Sequence, residues 1–297
     1  MNLVHACLRD GTGGSPTAVV PDDERLGDED RRCVPAEHGT SHAVFLRVPR
    51  RGTPGPPGVG IRFFTSEGEL PACGHGTVVA LAFLASRARA EAGAGVDAGA
   101  EYRVAFRTPT RAFDGWAVRN GALIEAAFDP GPVGLRPPTA AERDSTLAPL
   151  GIAAEEAAPG VRVAGVGRER LLVPVPSRVV LAAMDPDLDG LRDACDRLGL
   201  LGAYVYSPPS ASGEPAARMF APSIGVPEDI ANANSTACLA ARLARPGTTR
   251  IAVDMGDAVG SPATITASAR LGPSGLRIRV GGTATTVGLR VAGRHEA

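Results

Sequence analysis

Residues 63–82 read FFTSEGELPACGHGTVVALA, and this stretch decides the fold class. It starts as a β-type run, passes through an acidic loop that contains proline, and reaches small residues before an apolar segment, Thr77 to Arg87. That segment is apolar on nearly every face, which is typical of a helix buried on all sides. The stretch therefore predicts a strand, a turn and a central buried helix.

A second stretch repeats the same order of features. Residues 218–243 read RMFAPSIGVPEDIANANSTACLAARL, and an apolar segment, Thr236 to Arg245, again follows small polar residues. A weak repeat of this kind predicts two half-domains, each a rolled, barrel-like sheet around one central helix, and hence an α+β fold. We place the halves at residues 1–132 and 133–297, with room for the last strand to pack back on the first half.

Short β-type runs separated by Gly and Pro fill much of the remaining chain. The predicted strands are Thr17 to Val20, Ala43 to Val48, Gly60 to Thr65, Tyr102 to Thr108, Leu123 to Phe128, Arg170 to Val175 and Leu276 to Val280. One amphipathic segment, Pro186 to Leu198, predicts a helix on the surface. The sequence is therefore expected to be mostly sheet.

The composition excludes several classes of function. The chain has 297 residues, a formal net charge of -1 and mixed acidic and basic residues, so no basic surface for nucleic acid is expected. Every basic residue is arginine, and without lysine no Schiff base to pyridoxal phosphate can form. Five cysteines at irregular spacings indicate free thiols in a reducing compartment, and no apolar run is long enough for a membrane span. These features predict a soluble, cytoplasmic protein.

Small and polar residues fall where both predicted central helices begin. The first turn of a helix leaves backbone N–H groups free and carries partial positive charge. Two helix starts that face each other could therefore bind the carboxylate of a small acid between them. Taken one at a time, these residues are more simply explained as helix caps, turn glycines and a buried cysteine. The residues assigned to substrate binding on this basis are Cys73, Gly74, Gly76, Asn232, Asn234 and Ser235.

Five motifs along the chain, in order, carry a resemblance to a known family. GGSPTAVV resembles the family's GNPxAVV, SHAVF its SExxF, and the run at residues 63–82 its FTP...ELPxxGHxxxxxA. RMFAPSIGVPEDIANANSTACLAARL resembles RxFxPxxGxxEDxATGSA with its helix, and GGTATTVG the closing glycine strand. The chain thus resembles the PhzF-like isomerases of the diaminopimelate epimerase and proline racemase superfamily. The resemblance implies two mirrored half-domains with a substrate site in the cleft between them.

The resemblance also implies catalytic residues. The family's acid/base is the glutamate of SExxF, and here that position holds His42. Gly74, His75 and Asp229 match the family residues that hold the substrate carboxylate and its amino or hydroxyl group. His42, His75 and Asp229 are therefore the predicted catalytic residues.

Other positions depart from the family pattern. Asn234 stands at the family serine of EDxATGSA, Asn232 at its threonine and Ala233 at its glycine. Near the start of the chain, His5 stands at an aspartate position and Cys7 at an aromatic one. These departures fall at positions where the resemblance places the chemistry.

Histidine can replace glutamate as a proton shuttle because its ordinary pKa is close to working pH. The leading hypothesis is a cofactor-independent isomerase that moves a proton on a small, unsaturated or cyclic amino-acid-like substrate. His42 would remove and return the proton, while His75 and Asp229 orient the substrate and the helix N-termini with Asn234 hold its carboxylate. Because similar proteins act in antibiotic pathways, phenazine-type and alkylproline-type precursors are candidate substrates.

Three alternatives stay open. A non-catalytic family member would bind a ligand without converting it, because the family glutamate is absent. A one-thiol epimerase or racemase would use Cys73; a two-thiol mechanism is disfavoured because Asn232 stands where the racemase branch has its second cysteine. A metal site of His5, His42 and His75 is the third.

We expect no metal and no nucleotide cofactor, since the chain lacks a GxGxxG turn after a strand and a P-loop. Homodimer formation is left open.

Overall fold

The computed structural model describes residues 1–49, 58–92, 99–153, 160–209, 214–273 and 275–285. Within these residues the strands are β1 (Asn2–Ala6), β2 (Ser15–Pro21), β3 (Ala43–Arg47), β4 (Gly58–Thr65), β5 (Gly68–Leu70), β6 (Tyr102–Arg107), β7 (Ala112–Asn120), β8 (Leu123–Phe128), β9 (Gly134–Arg136), β10 (Arg162–Gly165), β11 (Glu169–Pro174), β12 (Ala203–Tyr206), β13 (Ala217–Ala221), β14 (Val226–Asp229), β15 (Gly247–Met255), β16 (Ala263–Gly272) and β17 (Gly275–Thr285). The α-helices are α1 (Asp28–Glu37), α2 (Gly74–Ala92), α3 (Ala140–Leu147), α4 (Arg178–Ala182), α5 (Leu188–Leu198) and α6 (Ala233–Leu243). Two short 3₁₀ turns cover Pro222–Ile224 and Asp257–Val259.

One sheet closes on itself around α2. Its strands run in the order β1–β2–β3–β4–β6–β7–β8–β17, and β17 pairs back with β1, so these described strands form a ring. The pairs β2/β3 and β4/β6 are parallel, and β16 and β15 extend the sheet beyond β17, so the ring is not a regular barrel. Residues Val78 to Ala82 of α2 have no exposed surface. This confirms the prediction of a helix buried on all sides.

A second sheet covers α6. Its strand order is β14–β13–β12–β11–β10–β9, with a parallel pair between β11 and β12. Helix α6 packs against β9, β10 and β11 on this side and against β15, β16 and β17 on the other. An isolated bridge between Ala216 and Asp254 links the two sheets. The predicted α+β fold, with a sheet rolled around each central helix, is therefore confirmed.

The predicted elements lie close to the observed ones. Each of the seven predicted strands overlaps a described strand, and the surface helix predicted from Pro186 is α5. Both central helices begin one turn earlier than their apolar segments, at Gly74 and Ala233, because small and capping residues fit the first turn of a helix. Helix α1 was not predicted, because its sequence DEDRRCVPAE has no apolar periodicity and contains Pro35.

The division of the chain at residues 132 and 133 stays a prediction. Strand β17, which sequence analysis placed in the second half, pairs with β8 and β1. Across the described ranges, no helix combines the length and apolar composition needed to cross a membrane.

Candidate active site

The two central helices begin at the same place. Helix α2 starts at Gly74, and a methyl group built on Gly74 would lie 2.6 Å from Cβ of Ala233, the first residue of α6. Asn232 caps α6, because its Oδ1 accepts a hydrogen bond of 2.9 Å from the Ser235 backbone N–H. The N–H groups of Gly74 and Asn234 thus belong to first turns that meet, and both turns present partial positive charge to one cavity.

Three buried side chains with nitrogen or sulfur atoms converge beside these helix starts. They are His42, just before β3, Cys73, just before α2, and His75, the second residue of α2; none is more than 5% exposed. The two imidazole rings are nearly perpendicular, with centroids 4.4 Å apart, and His75 Nε2 lies 3.5 Å from Cys73 Sγ. His75 Nδ1 donates to the Ala231 carbonyl at 2.8 Å, which fixes the N–H on that nitrogen. His42 Nδ1 bonds the Ser41 hydroxyl, also at 2.8 Å.

Asp229, at the end of β14, links this cluster to the start of α6. Its carboxylate accepts hydrogen bonds from Asn232 Nδ2 at 2.9 Å and from the Ala231 backbone N–H at 3.3 Å. One oxygen lies 3.8 Å from His75 Nδ1. Asp229 is only 3% exposed, so one buried carboxylate holds the cap of α6 and places a negative charge beside the ring of His75.

A small cavity of about 30 Å³ opens between these groups. The residues from the sequence prediction that line it are His42, Cys73, Gly74, His75, Asp229, Asn232 and Asn234. Two predicted residues are outside its lining: Gly76 packs against Cys73, Val44 and Phe63, and the Ser235 hydroxyl points to Met219 Sδ at 3.6 Å. The space is close to that of one water molecule, so an amino-acid-like substrate does not fit this closed form of the site.

Sequence reasoning missed two arginines that line this cavity, Arg168 and Arg170. Arg170 is 1% exposed, and its guanidinium donates to the carbonyls of Val166 and Arg168 and to Cys238 Sγ. Its Nε has no hydrogen-bond partner among the residues that the structure describes. Within the described part of the chain, Arg170 forms no salt bridge. A buried cation is stable only when its charge is compensated, so an anion from a ligand fits here. The sequence signal was an arginine at the start of an otherwise apolar strand.

Comparison with known proteins decides the family. Residues 4–289 match the family described as phenazine biosynthesis-like protein, PhzC-PhzF. The chain belongs to this family.

Its relatives are isomerases. The chain is 30% identical over 287 residues to trans-2,3-dihydro-3-hydroxyanthranilate isomerase of Pseudomonas fluorescens, with 93% of this chain and 92% of the relative covered. It is 26% identical over 241 residues to the isomerase YddE, described as uncharacterized, of Escherichia coli K12, with 78% of this chain and 74% of the relative covered. The prediction of an isomerase is confirmed.

Solved structures show the same fold. A phenazine biosynthesis protein of the PhzF family from Bacillus anthracis superposes with a TM-score of 0.76 at 15% identity, covering 96% of this chain and 95% of that one. A predicted epimerase, PA4716, from Pseudomonas aeruginosa superposes with a TM-score of 0.75 at 24% identity, covering 95% of each chain.

The electrostatics of this PhzF-family chain separate the two histidines. Burial, with the neighbouring charge of His75, lowers the pKa of His42 to about 3, so His42 is neutral at working pH. Burial also acts to lower the pKa of His75, but the charges of Cys73 and Asp229 outweigh it and raise that pKa to about 10. Although burial opposes ionisation of Asp229, the two histidines keep its pKa below the usual value. A neutral imidazole therefore lies against a charged one.

The same cluster bears on the alternative metal site of His5, His42 and His75. Among the described residues, the atoms that converge within 4.8 Å come from His42, Cys73 and His75, so Cys73 takes the place assigned to His5. His5 instead bonds the Gly13 carbonyl at 3.2 Å through Nδ1. The composition of that set was wrong, because sequence order alone does not show which side chains of separate elements meet.

Proposed function

We propose that this protein is an isomerase that moves a proton on a small, unsaturated amino-acid-like acid, with His42 as the proton shuttle. The observation that carries the proposal is the contact between neutral His42 and charged His75 where the two central helices begin. No cofactor is needed for such a step, because an acid/base residue and a stabilised anionic intermediate are enough.

His42 is suited to take a proton and give it back. Its Nδ1 is engaged by Ser41, which leaves Nε2 available to a substrate carbon in the cavity. Because the pKa of His42 is low, its protonated form is a strong acid that returns the proton quickly. A base this weak removes a proton only from an activated carbon, which favours an allylic carbon conjugated to a carboxylate.

The surrounding groups fit an amino-acid-like acid. The first-turn N–H groups at Gly74 and Asn234 and the charged His75 stabilise negative charge as it develops. Arg170 supplies a buried cation for the carboxylate. Asn234 Oδ1 is buried and has no hydrogen-bond partner among the described residues, so it can accept from an amino or hydroxyl group of the substrate.

A histidine shuttle of ordinary pKa would place the rising limb of the activity–pH profile near that pKa. The low pKa of His42 moves that limb far into the acid range. An activity profile alone therefore does not distinguish histidine from the family glutamate, and isotope exchange is the better test.

One observation favours a second candidate, a one-thiol epimerase. Cys73 Sγ lies 3.5 Å from Nε2 of His75. The charge of Cys73 is one of the causes that raise the pKa of His75. A thiol beside an imidazole at a helix N-terminus is the arrangement in which cysteine acts as a base. In that case Cys73 would carry the proton.

Proton exchange in D₂O tests both. The first probes are trans-2,3-dihydro-3-hydroxyanthranilate, the compound in the name of the Pseudomonas relative, and unsaturated proline carboxylates. For the wild type we expect deuterium at one carbon and a shifted double bond by NMR. His42→Ala should lose about two to four orders of magnitude in rate, and Cys73→Ser much less.

Exposed residues supply matched controls, His38→Ala and Cys33→Ser, which should behave as the wild type. The opposite result, an active His42→Ala and an inactive Cys73→Ser, would establish the one-thiol epimerase. A probe that binds but exchanges hydrogen at no carbon would refute the proposed proton transfer by His42 and favour a non-catalytic binding site.

A further inference from the structure

The donor atoms of His42, Cys73 and His75 form an arrangement that the proposed reaction does not require. Each residue offers one ligand atom, and the three atoms lie within 4.8 Å of one another. Two imidazole nitrogens and one sulfur form a donor set that Zn²⁺ prefers in proteins. All three side chains are at least 95% buried, so the ligands are shielded from water.

Both histidines have the orientation of zinc ligands. In metal sites, the ring nitrogen that does not bind the metal is held by a carbonyl, a carboxylate or another hydrogen-bond partner. His75 Nδ1 donates to the Ala231 carbonyl with Asp229 3.8 Å away, and His42 Nδ1 is held by Ser41. In each ring these bonds leave Nε2 as the ligand.

The observed spacing is close to that of a tetrahedral centre. Zinc–sulfur bonds of about 2.3 Å and zinc–nitrogen bonds of about 2.0–2.1 Å at tetrahedral angles place the two ligands about 3.5–3.6 Å apart. Cys73 Sγ and His75 Nε2 are 3.5 Å apart. The His42 donor atom lies no more than 4.8 Å from the other two, so it has to move closer to reach the same range. The fourth position faces the cavity, where it is open to water or to a substrate carboxylate.

We propose that His42, Cys73 and His75 bind one Zn²⁺ ion, and that zinc binding and proton shuttling exclude each other. The metal occupies the lone pair on His42 Nε2 that the shuttle needs, and it displaces the protons held by the ligand atoms. Zinc is thus a reversible inhibitor of this site, and the metal-free protein is the active form. Only the inhibitory part rests on the proposed function, because metal binding itself is measured without substrate.

Cobalt(II) is the first probe, because a bound thiolate gives it a charge-transfer band in the near ultraviolet. EDTA-treated protein titrated with Co²⁺ should develop this band at one ion per chain, and Zn²⁺ should abolish it by displacement. Cys73→Ser should lose the band, and His42→Ala should bind at least tenfold more weakly. Cys33→Ser and His38→Ala, which alter an exposed thiol and an exposed imidazole, should titrate as the wild type.

Zinc K-edge X-ray absorption of the wild type provides a measurement that needs no variant. It should show one sulfur and two imidazole ligands; a shell without sulfur overturns the site, as does a cobalt band that persists in Cys73→Ser. For the inhibitory part, stoichiometric zinc should stop deuterium exchange in the probe, and EDTA should restore it. If the zinc-bound protein exchanges deuterium into the probe at the full rate, zinc binding and proton shuttling do not exclude each other. If the metal-free protein exchanges no deuterium, that result contradicts the proposed function and leaves the zinc site untouched.

Discussion

Gly74 and Ala233 are in contact where the two central helices start, and a methyl group on Gly74 would lie 2.6 Å from Cβ of Ala233 and 2.9 Å from the Asn234 backbone nitrogen. The close approach brings two positive helix ends to one small cavity, which favours an anion between them. The contact joins parts of the chain that sequence analysis assigned to different halves.

Gly74→Ala should therefore disturb the site more than the fold. The added methyl group forces the helix starts apart, and overpacking of this kind costs about 1–3 kcal/mol of unfolding free energy. We expect the rate of deuterium exchange into the substrate probe to fall sharply, while the unfolding transition in urea stays cooperative. Gly134→Ala is the control, because a methyl group there meets nothing within 4 Å. Full activity in Gly74→Ala would show that the cavity tolerates a wider separation.

His42→Glu should retain more activity than His42→Gln. Glutamate restores the family acid/base at this position, and glutamine has a similar size but cannot transfer a proton. The difference in exchange rate should be about two orders of magnitude or more, the usual contribution of general acid/base catalysis. Equal rates in the two variants would assign the proton to another group, with Cys73 the first candidate.

Burial of neutral His42 should make the fold sensitive to acid. Below pH 6.5 the unfolded chain binds a proton at His42 that the folded chain accepts only near pH 3, so the unfolding free energy falls as the pH falls through this window. At pH 4 protonation of His42 in the unfolded chain lowers the unfolding free energy by about 3 kcal/mol. His42→Phe keeps a ring and should lose less stability than the wild type between pH 7 and pH 4, measured by urea unfolding with EDTA present. Identical losses would mean that His42 is not neutral in the fold.

Arg170→Met should weaken substrate binding with little effect on stability. The substitution removes a buried cation that has no carboxylate partner in the described ranges, and this offsets the loss of its hydrogen bonds. A charged hydrogen bond to the substrate is worth about 1.5–3 kcal/mol, so KM for an acidic probe should rise about ten- to hundredfold with a smaller change in kcat. Arg25→Met, at an exposed position, is the control. An unchanged KM would leave Arg170 as a structural link between β11 and α6.

The fold could be predicted well because its central elements are marked locally. Helices α2 and α6 are apolar on most faces, and the strands around them are separated by Gly and Pro, so pattern and burial agree. Helix α1 could not be predicted in this way. It is held by contacts with distant residues, such as the ion pair at 2.8 Å between Arg31 and Asp22 and the bond from Arg32 Nε to the Ser66 carbonyl, which no local pattern shows.

The site could be predicted where motifs mark it and not where tertiary packing creates it. His42, His75 and Asp229 lie on separate elements, and only the family resemblance brought them together; their catalytic roles stay predictions. Arg170 enters the cavity because the β10–β11 hairpin packs against α6, which the sequence does not reveal. The pKa difference between the two histidines likewise arises from burial and from neighbours in space.

The pairing of β1 with β17 places a constraint on the order of folding. Ala6 pairs with Ala284, so the ring around α2 joins strands from opposite ends of the described chain. During synthesis β1 and α2 leave the ribosome long before β17. Until β17 pairs with β1 and β8, one side of the apolar helix is exposed and both strands have an unpaired edge. We therefore expect closure of the ring to be a late and slow step of folding, because contacts between distant residues form late. Protease digestion of stalled nascent chains should cut within α2 until β17 has left the ribosomal tunnel, and during that interval this topology leaves an apolar helix open to aggregation and to chaperones.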